Sequence, residues 1–170
     1  MKNAKAAILS VAKKFEELSG RSYGLFEAYE MEDAEVALVI IGSSAGTAKE
    51  TVRQLRREGK KVGLIKIRVF RPFPMEELAE AMTGVKAVAV MDKAESFSAC
   101  GGPLFAEVRS ALYDLEHRPK AINYVYGLGG RDICVEDFAM IYGQLFEMAE
   151  TGNTGQIYRH IGQREQGGDR

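Results

Sequence analysis

Apolar residues along the chain gather into four short runs, each followed by a polar, glycine-bearing turn and then by helical spacing. The first run, Val36–Ile41, passes through Gly42-Ser43-Ser44-Ala45-Gly46 into a helix predicted over 47–58 and closed by Gly59. Ala48, Val52 and Leu55 share one face of that helix. Thr47 with Glu50 fits a capping box, in which side chains satisfy the free amides of the first turn. The second run covers 61–67, after which Pro72 and Pro74 exclude a strand. A helix is predicted from Met75 to Met82, with Pro74 near its start. The third run, 87–91, leads through Asp92-Lys93-Ala94-Glu95-Ser96-Phe97 and Gly101-Gly102-Pro103 to a helix over 104–116. The fourth, 121–126, leads through Gly127-Leu128-Gly129-Gly130-Arg131-Asp132 to a helix over 135–149.

Continuous apolar runs mark strands buried on both faces, and helices between them mark a parallel sheet. Right-handed crossovers then place helices on both faces. The expected fold is α/β: a doubly wound, mainly parallel sheet whose glycine-rich loops meet at the carboxyl ends of the strands, where sites in such folds lie. Two segments flank it. Residues 1–24 hold an amphipathic helix predicted over 4–18 (Ala7, Ile8, Val11, Phe15, Leu18) and a linker. Residues 25–150 form the α/β domain, and 151–170 a polar tail expected to be frayed or ordered only against a partner.

Composition narrows the function. With 23 basic against 24 acidic residues the chain has no long-range field, which argues against nucleic acid or an anionic membrane as partner. Its apolar runs are too short to cross a bilayer, and Glu16 and Glu17 spoil a signal peptide, so the reading is cytoplasmic. Cys100 and Cys134 are far apart, which leaves no disulfide framework, and two thiols cannot hold an iron–sulfur cluster, which takes about four. They are expected to be buried small residues or bystanders. His117 and His160 are distant in sequence, which argues against zinc.

Several loops together resemble one family. Gly42-Ser43-Ser44-Ala45-Gly46-Thr47-Ala48-Lys49, the stretch Gly63–Pro74 with Arg68-Val69-Phe70-Arg71-Pro72-Phe73-Pro74, Gly101-Gly102-Pro103-Leu104-Phe105 and Tyr126–Asp132 are similar, in order and spacing, to the C-terminal domain of the alpha chain of pyruvate:ferredoxin oxidoreductases and the related 2-oxoisovalerate and 2-oxoglutarate enzymes. The resemblance covers about residues 20–150. It implies a fold like the transketolase C-terminal domain, a mainly parallel five-stranded sheet with one antiparallel edge strand. It also implies a parent enzyme that oxidatively decarboxylates a 2-oxoacid to an acyl-CoA and passes electrons through iron–sulfur clusters to ferredoxin. In that family thiamine diphosphate and Mg²⁺ sit between two other domains. The sequence shows neither the diphosphate-binding stretch nor an upstream pyrimidine-binding domain, so it reads as an isolated C-terminal piece or a stand-alone small subunit. The resemblance therefore implies a structural, assembly role with no catalytic residue and no cofactor bound by this chain alone. Thiamine diphosphate, Mg²⁺, iron–sulfur clusters and CoA belong to the parent complex. The implied partners are the thiamine-binding domains and other subunits, with ferredoxin met indirectly; a homo-oligomer is left open.

Each loop also has its own chemistry. The turn Gly42–Thr47 presents free amides at a helix start, where Ser43, Ser44, Gly46 and Thr47 either bind an anion such as a diphosphate or the phosphate of CoA, or simply cap a tight turn. Arg68, Phe70, Arg71 and Phe73 sit in a proline-bounded loop suited to an interface, the alternative being phenylalanines in the core and solvated arginines. Asp92 and Glu95 are either an acid–base pair or engaged in structural ion pairing or exposed to solvent, and no histidine or other partner supports the former. Arg131 clamps a carboxylate or phosphate, or pairs with Asp132 to fix its loop, while Gly129 and Gly130 favour close docking of another chain.

Overall fold

The computed structural model describes residues 2–97 and 100–163. Along the chain run α1 (Lys2–Ser19), β1 (Phe26–Tyr29), β2 (Val36–Ile41), α2 (Ala45–Arg57), β3 (Val62–Ile67), α3 (Met75–Ala81), β4 (Ala87–Asp92), α4 (Pro103–Leu112), β5 (Lys120–Val125), a single 3-10 turn (Leu128–Gly130), α5 (Val135–Thr151) and β6 (Tyr158–His160). The strands form one sheet in the order β1-β3-β2-β4-β5-β6. β1 is antiparallel to β3, and every other pair is parallel.

The uninterrupted apolar runs become the central strands because both of their faces are covered. Val36, Leu38 and Ile40 point to α2 and α5, whereas Ala37 and Val39 point to α3 and α4. Each fully buried aliphatic side chain contributes about 1.5–3 kcal/mol to this closure. Two buried polar contacts lock the layer of α2 and α5: the Tyr142 hydroxyl donates to the Gly63 carbonyl at 2.8 Å, and the Thr51 hydroxyl to that of Val135 at 3.3 Å. Burial drives the Tyr142 phenol well above its ordinary value.

The doubly wound, mainly parallel sheet is present, with differences in detail. Among the described residues there are six strands rather than five, because the segment read as a frayed tail supplies β6, whose Tyr158 stands opposite Asn123 of β5. α2 starts two residues earlier than expected, with Ser44 at its N-cap and no side-chain capping bond, so the Thr47–Glu50 capping box does not form. The capping box lies instead at α5. There the Asp137 carboxylate accepts from the backbone N–H of Cys134 at 2.9 Å and from its thiol at 3.0 Å. Cys100 and Cys134 are both exposed free thiols, not buried ones. One connection departs from the right-handed rule. β4→α4→β5 and β5→α5→β6 move the same way across the sheet, yet α4 covers one face and α5 the other. The β5–α5–β6 unit is therefore left-handed, because α5 is drawn back beside α2 before the chain returns to the edge.

Candidate functional site

The loops gather at the carboxyl edge, as in other open α/β sheets. β2 lies between β3 and β4, and its following helix covers the opposite face from α4, so the crevice between the β2 and β4 loops is the topological switch point. A cleft of about 380 Å³ opens there, with Ile41, Phe70, Met91 and Leu104 on its apolar walls and Gly42 and Lys93 at its rim.

Asp92 forms the polar floor, and its role is structural. It is 4% exposed. One carboxylate oxygen accepts from the Leu104 amide at 2.8 Å; the other accepts from the Phe105 amide at 3.1 Å and the Asn123 side-chain amide at 2.9 Å. Asn123 also donates to the Val90 carbonyl and accepts from the Gly102 amide, so strand β5, strand β4 and the start of α4 share one network. Gly102 is required here, since a Cβ on it would stand 2.1 Å from the Asp92 carboxyl carbon. Burial raises the Asp92 carboxyl above its ordinary value of 3.8, against the pull of these donors. The residue that caps α4 is thus eleven positions or more upstream of it, beyond the reach of a local capping pattern.

Glu95 does have a histidine partner, which the sequence spacing hid. His160 of β6 contacts the Glu95 carboxylate at 2.6 Å and stacks edge-on against Tyr158 at 4.9 Å between centroids. Hydrogen bonds from His160 and then Tyr158 hold the Glu95 carboxyl below its ordinary value of 4.5. The only sequence signal for this was the alternation around Tyr158 and His160 inside a polar tail. Glu95 and His160, together with Leu128, Arg131 and Gly162, border a second cleft of about 450 Å³.

The remaining predicted positions divide. Ser43 and Gly46 are exposed, Thr47 is half-buried and Ser44 is buried at the start of α2. Arg131 hydrogen-bonds the Gly162 carbonyl rather than pairing with Asp132. Gly129 and Gly130 adopt positive φ with open space around them. Phe70 and Phe73 pack edge-on, 6.0 Å apart, against the core, so the loop is partly structural. Its arginines are paired, not merely solvated: Arg68 bonds Glu27 at 2.8 Å and lies over the Tyr23 ring, and Arg71 bonds Glu107 at 2.6 Å. Arg131 thus borders the second cleft, whereas of the turn into α2 only Gly42 borders the first.

Among the described residues no three His, Cys, Asp or Glu side chains converge to hold a metal, and no helix is long and apolar enough to cross a membrane. Comparison with solved structures finds the same fold in a chain of 2-oxoglutarate:ferredoxin oxidoreductase from Magnetococcus marinus, at a TM-score of 0.54 and 19% identity over 78% of this chain and 21% of that one. A split-gene transketolase gives a TM-score of 0.59 at 15% identity, over 76% of this chain and 45% of that one. Among curated proteins, pyruvate synthase subunit PorA of Thermotoga maritima is 48% identical over 97% of this chain and 41% of its own length. Ketoisovalerate oxidoreductase subunit VorA of Pyrococcus horikoshii is 45% identical over 88% of this chain and 38% of its own. The chain thus spans about two fifths of these relatives, which are named as enzyme subunits. The family described as pyruvate:ferredoxin oxidoreductase core domain II matches residues 34–138, from the start of β2 into α5, and the chain belongs to that family.

Proposed function

We propose that the chain is an assembly domain of a thiamine-dependent 2-oxoacid:ferredoxin oxidoreductase of the pyruvate synthase kind, an enzyme that converts a 2-oxoacid to an acyl-CoA and reduces ferredoxin. The observation that carries this reading is the uncovered face of α1. None of its described side chains is buried, and Ala7, Ile8, Val11, Ala12 and Phe15 with Tyr23 line a carbon-walled groove. Val11 is 65% exposed and Leu18 89%. A contiguous apolar patch on a domain whose own core is closed fits a protein interface. Lys5 anchors the helix to Glu76 and Glu77 of α3, and the stack of Arg68 on Tyr23 joins the groove to the proline-bounded loop. On this reading Arg68, Phe70, Arg71 and Phe73, with the Gly129-Gly130 turn, form the rim that meets the thiamine-binding domains.

The metal centres of such an enzyme need more ligands than this chain's described residues bring together. Two single exposed thiols cannot ligate an iron–sulfur cluster, and the described residues offer no cluster of ligands for Mg²⁺. We assign Mg²⁺ and the clusters, and with them thiamine diphosphate, to partner chains or domains, and place the complex in the cytoplasm. The test is reconstitution with the remaining chains of a pyruvate synthase lacking this domain. Val11→Asp with Phe15→Asp is expected to weaken complex formation at least tenfold while leaving the circular-dichroism spectrum unchanged. Undiminished assembly by that variant, or oxoacid-dependent reduction of a viologen dye by the chain alone, would refute the reading.

A further inference from the structure

At the amino edge of the sheet lies a cleft whose charges are not balanced. It has a volume of about 270 Å³ and sits between the end of α4, the start of β5 and the chain leading into β6. Arg109, Arg118 and Lys120 border it, all three exposed, and no carboxylate does; Asp114 and Glu116 of the intervening turn stand outside it. Among the described residues none of the three cations takes part in an ion pair. Rings rather than acids steady the two guanidinium groups: Arg109 lies 5.4 Å from the centroid of Phe105 and Arg118 5.2 Å from that of Tyr113. Arg109, in the last turn of α4, already offsets the negative end of that helix, so Arg118 and Lys120 are surplus to it. Elsewhere acids are set against bases, as in the cleft bordered by Glu95 and Arg131 and in another bordered by Glu35, Lys60, Lys61 and Glu150.

The rest of the wall carries carbon. Leu112 is buried there, while Tyr113 and Ile157 are large side chains left 67% and 38% exposed. Phosphate is poorly served, because the carboxyl end of α4 presents carbonyl oxygens, whereas phosphates settle on the amides of a helix start. Nucleic acid is disfavoured as well, since a net charge of −1 supplies no long-range pull on a polyanion. Guanidinium groups take carboxylates through paired hydrogen bonds, and arginine clusters beside carbon are the usual receptor for acidic segments. We propose that this cleft docks an acidic segment of a partner polypeptide. Its carboxylates pair with Arg109, Arg118 and Lys120, and an apolar side chain between them packs on Leu112, Tyr113 and Ile157. The cleft stands at the start of β5, and the Arg68–Phe73 loop follows the end of β3, so in a parallel sheet the two surfaces occupy opposite edges. The proposal therefore does not rest on the assembly reading and is probed without any chain of the oxidoreductase.

The experiment is fluorescence anisotropy of the purified chain with a labelled peptide in which leucines interrupt a run of glutamates. That peptide is expected to bind at micromolar concentration in low salt, and more weakly as salt screens the pairing. Arg109→Glu with Arg118→Glu is expected to weaken it at least tenfold, and the milder Lys120→Ala at least threefold. The same charge reversal at the balanced cleft, Lys60→Glu with Lys61→Glu, is expected to leave binding unchanged. A peptide of glutamate alone is expected to bind at least threefold more weakly, because the carbon wall then has no partner. Thermal unfolding at the parent temperature shows that each variant is folded. Silence at millimolar peptide, equal affinity for the two peptides, or equal loss in the two charge reversals overturns the proposal. Tighter binding of pyrophosphate or of a single-stranded oligonucleotide than of the peptide overturns it too.

Discussion

The carboxylate of Asp92 receives two backbone amides of α4 and the side-chain amide of Asn123, all of them buried. Removing it leaves donors without acceptors, which costs about 1–3 kcal/mol for each group orphaned. Asp92→Ala is therefore expected to lower stability by about 3 kcal/mol or more, read from the urea midpoint at constant slope. Glu27 presents the opposite charge problem. The hydrogen bond from Lys49 holds its carboxyl below the ordinary value of 4.5, and Arg68 adds to the pull. A depressed carboxyl contributes stability that is complete above the unfolded value and fades as pH falls through the folded one. Glu27→Gln is expected to cost about 1 kcal/mol at neutral pH and progressively less as pH falls below the ordinary carboxylate range, so the acid limb of its stability profile is flatter. Neither role was legible locally. The amides that Asp92 caps lie beyond a loop, and Lys49 meets Glu27 only because β1 pairs antiparallel with β3.

Strands buried on both faces announce themselves by composition, which is why β2 to β5 were legible within a residue or so. β6 was not, because three half-buried residues carry too little apolar area to stand out from a polar tail. The hand of the β5–α5–β6 unit was hidden for a different reason: the general rule predicts a right-handed crossover. Here α5 is needed beside α2, where Phe138, Ile141 and Leu145 complete the core. β6 then extends one edge of a sheet whose central strands are already covered on both faces. Cutting the chain after Thr151 is expected to leave one cooperative unfolding transition, lowered by about 2 kcal/mol through loss of the partly buried Tyr158 and Ile161. Splitting of the transition in urea would show that β6 instead holds the layers together. Glu95 and His160 meet only because this strand docks, so their pairing shares its fate.

For the whole molecule, α1 and the α/β layers answer to different demands. The core closes without a single buried side chain from the described residues of α1. Removing residues 1–19 is expected to change the stability of the rest by no more than about 0.5 kcal/mol in urea unfolding, while abolishing assembly with partner chains. The sequence showed the amphipathic pattern of that helix but not which way its apolar face turns, since a face covered by its own core and one kept for a partner have the same spacing. The candidate site was legible to the same extent: its loops stood out as glycine-rich turns, but only the sheet order shows which two of them share a crevice. Gly102 carries a consequence beyond this one chain. Its missing side-chain volume is filled by the Asp92 carboxyl, so the two positions must change together over evolutionary time. Family members with a larger residue where this chain has Gly102 are expected to have lost the acid at the end of β4, and with it the shared anchor of α4.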